Sequence, residues 1–204
     1  STQSRSSAAS DVYKRQVKYK RNNLLYTLAY YDIKQDNLIS VYKDGYVKPF
    51  QSKDGQARHK GLEFSINGRL ADKWNILGGF SHMSAKQEKT TKGALDGIRV
   101  NGTSEWTAVL GLEYNPNEAW SILGRAIYTG KTPVMNEKIW APGYTIFDLG
   151  VTHKTHFGKI PAELSLMVNN VFDKDYWQVS RGNQVYLSCL LYTSPSPRDL
   201  STSR

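Results

Sequence analysis

Apolar and polar residues alternate with a period of two through much of this chain. That spacing belongs to strands with one greasy face and one wet face. Leu62, Phe64, Ile66, Gly68 and Leu70 fall on one side of one run, and Glu63, Ser65, Asn67 and Arg69 on the other. Trp106, Ala108, Leu110, Leu112 and Tyr114 alternate with Thr107, Val109, Gly111 and Glu113. Trp120, Ile122, Gly124, Ala126 and Tyr128 make a third run, which Leu123 and Ile127 blur. Phe147, Leu149 and Val151 oppose Asp148 and Thr152, and Leu164, Leu166, Val168, Asn170 and Phe172 oppose Ser165, Met167 and Asn169. Leu24–Lys34 and Trp74–Ala85 read as strands with poorer alternation, and no run carries a convincing helical period.

The connections between these runs alternate in length. Short ones fall at 21–23, 71–73, 115–119 and 156–161, and long ones at about 36–59, 88–103, 130–143 and 173–184. A meander with every long loop at one end produces this parity, as in outer-membrane barrels with short periplasmic turns and longer extracellular loops. A Greek-key sandwich gives no reason for it. Trp74, Trp106, Tyr114, Trp120, Tyr128 and Tyr144 cluster near strand ends, where amphipathic rings would form interfacial girdles. Alternation by itself also suits a soluble β-protein with these rings as core anchors; the loop parity favours the barrel. The predicted fold is all-β: a partial transmembrane antiparallel up-and-down β-barrel, an open meander of about eight strands, the last barely begun at Val185. No run approaches the ~20 consecutive apolar residues of a membrane-spanning helix, a test that does not bear on barrels.

Both ends of the chain read differently. Asp11-Val12-Tyr13-Lys14-Arg15-Gln16 is the translation of GAT GTG TAT AAG AGA CAG, and the reverse complement of that DNA, one base out of frame, encodes Cys189-Leu190-Leu191-Tyr192-Thr193-Ser194. The element resembles a transposon end used as a sequencing adaptor, and Pro195-Ser196-Pro197-Arg198-Asp199 resembles the rest of such an adaptor. Residues 1–16 and 189–204 are therefore expected to be adaptor-derived and unpacked, and 17–188 to be the insert. Without the flank cations Arg5, Lys14, Arg15, Arg198 and Arg204 and the anions Asp11 and Asp199, the net charge of +9 falls to +6, from 22 cations and 16 anions. That balance gives weak support for nucleic acid as a partner. The single cysteine, Cys189, is also in the flank, so the insert has no disulfide or cysteine metal site.

Several segments carry a family resemblance. A basic run precedes Gly61-Leu62-Glu63 in Gln56–Phe64; Asn67-Gly68-Arg69-Leu70 leads to Trp74; Val100-Asn101-Gly102 precedes Trp106–Tyr114. The most specific is Val168-Asn169-Asn170-Val171-Phe172-Asp173-Lys174-Asp175-Tyr176-Trp177. In order, and over nearly all of 17–188, these resemble the C-terminal barrel of TonB-dependent outer-membrane receptors, the siderophore branch best. The resemblance implies a barrel of roughly 22 strands around a plug, in the outer membrane of a Gram-negative bacterium. It implies active uptake of a ferric siderophore, with no directly bound cofactor and no catalysis. Implied partners are the TonB–ExbB–ExbD system through a plug, outer-membrane lipid and lipopolysaccharide, and the barrel assembly machinery, with no nucleic acid.

A chelate presents a charged oxygen shell and apolar edges, so loop cations and aromatic rings are the candidate contacts. These are Tyr42, Tyr46, Arg99, Lys131, Trp140, Tyr176, Trp177 and Arg181, each in a predicted long loop and each equally readable as a solvated or loop-packing side chain. Glu63, Arg69, Glu113 and Arg125 fall on the wet face and read as wall ion pairs or plug contacts. His153 and His156 lack an acidic partner at metal-ligand spacing, and Asn101-Gly102-Thr103 reads as a turn. The competing readings are a passive porin and a soluble glycan-binding β-sandwich using Trp140 and Trp177 as platforms. Sequencing the genomic locus is expected to show 17–188 continuing upstream and downstream without the two flanks; flanks encoded in the genome would overturn the adaptor reading.

Overall fold

A computed structural model describes residues 10–41, 50–179, 184–188 and 192–199. Strands β1 (Ser10–Arg21), β2 (Leu24–Val41), β3 (Phe50–Ala71), β4 (Trp74–Glu88), β5 (Trp106–Tyr114) and β6 (Trp120–Thr129) follow one another as antiparallel neighbours. A small hairpin of β7 (Thr132–Val134) and β8 (Ile139–Ala141) interrupts the meander, which resumes with β9 (Tyr144–Phe157) and β10 (Ile160–Asn169). A second hairpin, β11 (Tyr176–Val179) with β12 (Val185–Ser188), stands apart from the main sheet, and β13 (Tyr192–Asp199) returns to pair with β10. Among the described residues the main sheet has nine strands, in the order β1-β2-β3-β4-β5-β6-β9-β10-β13, and is open at β1 and β13. The expected eight-strand meander is present in β1–β6, β9 and β10, while Val185 begins a strand of the separate hairpin.

Direct partners across an antiparallel ladder share a face. Val17, Leu28, Phe64, Phe80, Ala108 and Tyr128 thus form one row, and Trp74, Tyr114, Ile122, Val151 and Leu166 another. This face stays open: Leu28 is 51 % exposed, Leu110 47 % and Leu149 49 %. So continuous an apolar surface needs an apolar medium or a partner. The opposite face is concave and wet. Thr27, Ser65, Ser81, Thr107 and Thr129 line a cavity of about 630 Å³ on it.

Aromatic pairs mark the two ends of the apolar band. Trp74 meets Tyr114 at 4.8 Å between ring centroids and Trp120 stacks on His153 at 4.1 Å, both by the short turns. Toward the long loops, Trp106 meets Phe80 at 5.3 Å and His82 at 4.1 Å. From Trp106 to Tyr114 the strand rises about 27 Å at ~3.3 Å per residue. At the ~40° tilt of barrel strands that gives ~20 Å of height, near the ~25 Å apolar band of such barrels.

The wet face is tied by side chains. Arg125 donates to the Asp148 carboxylate from Nε at 2.9 Å and Nη2 at 2.6 Å, a wall ion pair as expected. Glu113 accepts from Asn75 at 3.1 Å and from the Ser121 hydroxyl. Glu63 pairs with Lys14 at 3.4 Å. Arg69 has no ion pair among the described residues.

Two expectations are corrected. The span 36–59 is largely strand, with β2 running to Val41 and β3 starting at Phe50. Polar cross-strand pairs hold this part: Arg58 donates to both Asp32 oxygens at 2.9 and 2.6 Å, and Gln56 donates to Asp36 at 3.0 Å. The flanks are not unpacked. Ser10–Gln16 extend β1 along β2 as far as Gln35, and Tyr192–Asp199 pair with Asn169–Ala162 of β10. An open sheet offers unpaired backbone groups at both edges, and extended chain docks there. Pro195 and Pro197 are tolerated because β13 is an edge strand.

The glycine of Gly61-Leu62-Glu63 has a packing reason. Tyr31 lies across it from β2, so a Cβ at Gly61 would sit 2.5 Å from the Tyr31 hydroxyl and 2.6 Å from the His82 carbonyl oxygen. Tyr31 is 7 % exposed and fills the groove that the missing side chain leaves. Gly61→Ala is expected to destabilise the folded barrel by about 1–3 kcal/mol, the usual cost of overpacking. Urea unfolding in lipid vesicles measures it, and Tyr31→Ala in the same chain should recover part of the loss.

Candidate functional site

The two long connections after β4 and β6 form one unit at the same end of the sheet. After Glu88 the chain makes a 3₁₀ turn (Thr91–Gly93) and returns along the edge of β4. Gln87 N donates to Ile98 O at 2.8 Å, Val100 N to Ala85 O at 3.0 Å, and Met83 N to Glu105 O at 2.8 Å. These bonds satisfy backbone groups that β5, which begins only at Trp106, leaves open. They also set Arg99 opposite Lys86.

The turn is locked from inside. Asp96 Oδ1 accepts both the backbone N–H and the hydroxyl of Thr90 at 2.8 Å, and Thr90 Oγ1 accepts the Leu95 N–H at 3.0 Å. The two bonds from Thr90 hold the Asp96 carboxyl below the usual carboxylate range.

Asn101 and Gly102 form the expected turn, which docks on the β7–β8 hairpin. Gly102 N donates to Pro133 O at 2.9 Å, Asn136 N to Asn101 Oδ1 at 2.8 Å, and Asn101 Nδ2 to Asn136 Oδ1 at 3.2 Å. The hairpin tip needs that support. Met135, Asn136 and Glu137 take φ of 51°, 57° and 65° in succession, in the left-handed region that non-glycine residues avoid at roughly 1–2 kcal/mol each.

Three predicted residues converge on this unit. The Arg99 guanidinium lies 5.5 Å from the Trp140 ring centroid and the Lys131 ammonium 4.7 Å from it. Arg99 also reaches Glu105 at 2.9 Å and Glu137 at 3.5 Å. The indole is therefore a platform with two cations against it, within the ~6 Å where the ring quadrupole attracts cations. Nearby, Tyr176 stacks on Tyr144 at 4.2 Å and 30°, and β11 lies against β8. Trp177 is 45 % exposed. Tyr42, Tyr46 and Arg181 lie outside the described residues.

Sequence reasoning missed Glu105, Asn136 and Glu137, which position the predicted group. It also missed the junction behind Val168–Trp177. Asn170 leaves β10 at φ 53°, is 3 % exposed, and exchanges hydrogen bonds with the Lys174 backbone, both at 3.0 Å. Its own N–H donates to Asp148 Oδ1 at 2.9 Å. An asparagine tolerates the left-handed conformation and offers both a donor and an acceptor. That combination gives Asn170 of the motif a physical reason and was its available signal.

Comparison with known proteins places this geometry among relatives. Residues 15–171 match the family described as TonB dependent receptor-like, beta-barrel. The probable TonB-dependent siderophore receptor PiuA of Acinetobacter baumannii is 25% identical over 135 residues, 60% of this chain and 18% of its own length. The ferripyoverdine receptor of Pseudomonas aeruginosa is 28% identical over 215 residues, 91% of this chain and 23% of its own. The crystal structure of BauA, the ferric preacinetobactin receptor from Acinetobacter baumannii, superposes with a TM-score of 0.76 at 21% identity, over 92% of this chain and 29% of that one. The chain thus spans about a quarter or less of the length of these curated relatives.

The Asp96 clamp has a pH signature. A carboxyl depressed on folding stabilises the turn fully above its unfolded value of about 3.9, and that stabilisation fades as pH falls through the lower folded value. Amide protection at Thr90 and Leu95 is expected to hold from neutral pH to about pH 4 and to drop below it. In Asp96→Asn the protection should be low throughout and lack this acid transition.

Proposed function

The chain belongs to the TonB-dependent receptor β-barrel family, and on that premise we propose that it is the C-terminal barrel segment of an outer-membrane receptor importing a ferric siderophore. The observation that carries the reading is the Trp140 platform with Arg99 and Lys131, held at the long-loop end above a wet concave wall. An indole flanked by cations suits an anionic, aromatic-edged chelate. The exposed outer face meets lipid, and the wall residues Glu63, Glu113 and Arg125 face a plug supplied by the rest of the receptor. The TonB–ExbB–ExbD system would act on that plug, lipopolysaccharide would surround the outer face, and the assembly machinery would insert the barrel. The protein acts by binding and transport, without chemistry on its cargo. Residues 1–16 and 189–204 are read as adaptor sequence, of which Ser10–Gln16 and Tyr192–Asp199 pair with the sheet because it offers open edges.

In the full-length receptor, Trp140→Ala is expected to weaken binding of the cognate ferric chelate about tenfold, the scale of losing a partly desolvated cation–aromatic site. Isotopic iron uptake by iron-starved cells measures transport. Uptake should stop when the proton gradient is collapsed; uptake that continues identifies a passive pore instead. Recovery of the full-length protein from the soluble fraction without detergent would support the sandwich.

A further inference from the structure

The two cations against Trp140 are not equivalent. Arg99 has a carboxylate on each side: Nη1 donates to Glu105 Oε2 at 2.9 Å, and Nε lies 3.5 Å from Glu137 Oε1. The other Glu105 oxygen faces His82 Nε2 at 3.5 Å, so that carboxylate is held from two directions. The side chains of Arg99, Glu105 and Glu137 are 31, 29 and 32 % exposed, so salt screens them less than it screens fully exposed charges. Lys131 is exposed, and among the described residues no carboxylate oxygen lies within 4 Å of its ammonium. Lys86 stands opposite Arg99 in the ladder, but among the described residues only Arg99 and Lys131 lie over the indole.

Glu137 reaches Arg99 because of the hairpin tip. It is the last of three successive left-handed residues, and Asn101 fixes the middle one, Asn136, by two hydrogen bonds. Conformations of this kind persist where surrounding contacts over-determine them, and they gather at ligand clamps. One carboxylate neutralises an arginine, and Glu105 already does so at the shorter distance. The second carboxylate leaves the Glu105–Arg99–Glu137 group with a net negative charge, which Lys131 balances. An unpaired guanidinium would be the strongest anion contact on the platform, but this one is bracketed and has little left to give a ligand oxygen.

We propose that Lys131 is the cation that meets the ligand and that Glu105 and Glu137 withhold Arg99, so that the platform selects a monoanionic ferric chelate over a trianionic one. The inference rests on the transport reading above and names the charge class of its cargo. Lys131 is a point charge on a flexible stem beside an indole, and one anionic oxygen group satisfies it. A more highly charged chelate brings further anions against two carboxylates that are held in place, Glu137 through the tip and Glu105 through Arg99 and His82. Such like-charge contacts cost affinity and supply the repulsive half of specificity. Arg99 is then a positioning residue that joins the β4–β5 connection to the hairpin carrying Trp140.

The test uses the full-length receptor in detergent and two radio-iron probes. One is a monoanionic ferric chelate of two hydroxamates and one α-hydroxycarboxylate, and the other a trianionic ferric tris-catecholate. Wild type is expected to bind the monoanion at least about fivefold more tightly. E105Q/E137Q should move the ratio of the two affinities at least about fivefold toward the trianion, whereas a merely structural loss would weaken both probes and leave the ratio alone. K131Q should weaken the monoanion about fivefold. Heat-modifiable migration on gels shows whether each variant is folded; if the double variant is not, E137Q alone, which removes the longer contact, and the wild-type ratio decide. Equal affinities in wild type, preference for the trianion, or binding of neither probe overturns the proposal. So does an unchanged ratio in the folded glutamine variant or undiminished binding by K131Q. Uptake is measured in parallel: a receptor that imports iron without this charge preference refutes the platform's role alone, and one that binds the monoanion as expected but imports no iron refutes the transport reading alone.

Discussion

Backbone hydrogen bonding in an apolar surrounding governs this molecule. A peptide group facing hydrocarbon has no water to turn to, so every strand must give its N–H and C=O groups to a neighbour. That demand accounts for a meander in which every main-sheet strand from β1 to β10 pairs with its neighbour, with register shifts only at Asp36/Leu38 and Arg69/Ala71 among the described residues. Beyond the band the same backbone groups still find partners, because the chain between β4 and β5 returns along β4 before the next strand begins. Side chains then sort by face, because alternation leaves them no third direction. The leucines need no core to fill, and the few fully buried side chains lie in the loop unit and at Asp148.

Local rules and this demand agree at the short turns. Asn22, at φ 52°, closes β1 onto β2, and Gly158, at φ 65°, closes β9 onto β10. Asn117 caps the connection after β5 by accepting from the backbone of Ala119 and Trp120, both at 3.0 Å. Tight turns at one end let the long segments at the other be recruited for binding without disturbing register.

The membrane band was legible in the sequence because its constraint is periodic. Trp106–Tyr114 alternates cleanly and forms β5 over those same residues. The segments 36–41 and 50–59 gave no signal, since their residues do not alternate by hydropathy although the ladder continues through them. The site was legible only in part. Arg99, Lys131 and Trp140 carry chemistry suited to an anion, so residue type pointed to them. Asn136 and Glu137 were not legible, since their role depends on a left-handed tip meeting Asn101 from another loop. Position along a chain does not encode a meeting between loops 35 residues apart. The edge pairing of the terminal segments was equally hidden, because it follows from which backbone groups the sheet leaves open.

Asp148 receives the Arg125 guanidinium and the Asn170 amide at one carboxylate that is 2 % exposed. Three successive strands are thereby riveted where β10 gives way to loop, level with the middle of β6. Asn170 in turn grips the Lys174 backbone in both directions, so the outgoing segment has a fixed pivot and not a sliding one. The Tyr144–Tyr176 stack adds a second tie, from β11 to the start of β9, so the β11–β12 arm is anchored to the wall at two points.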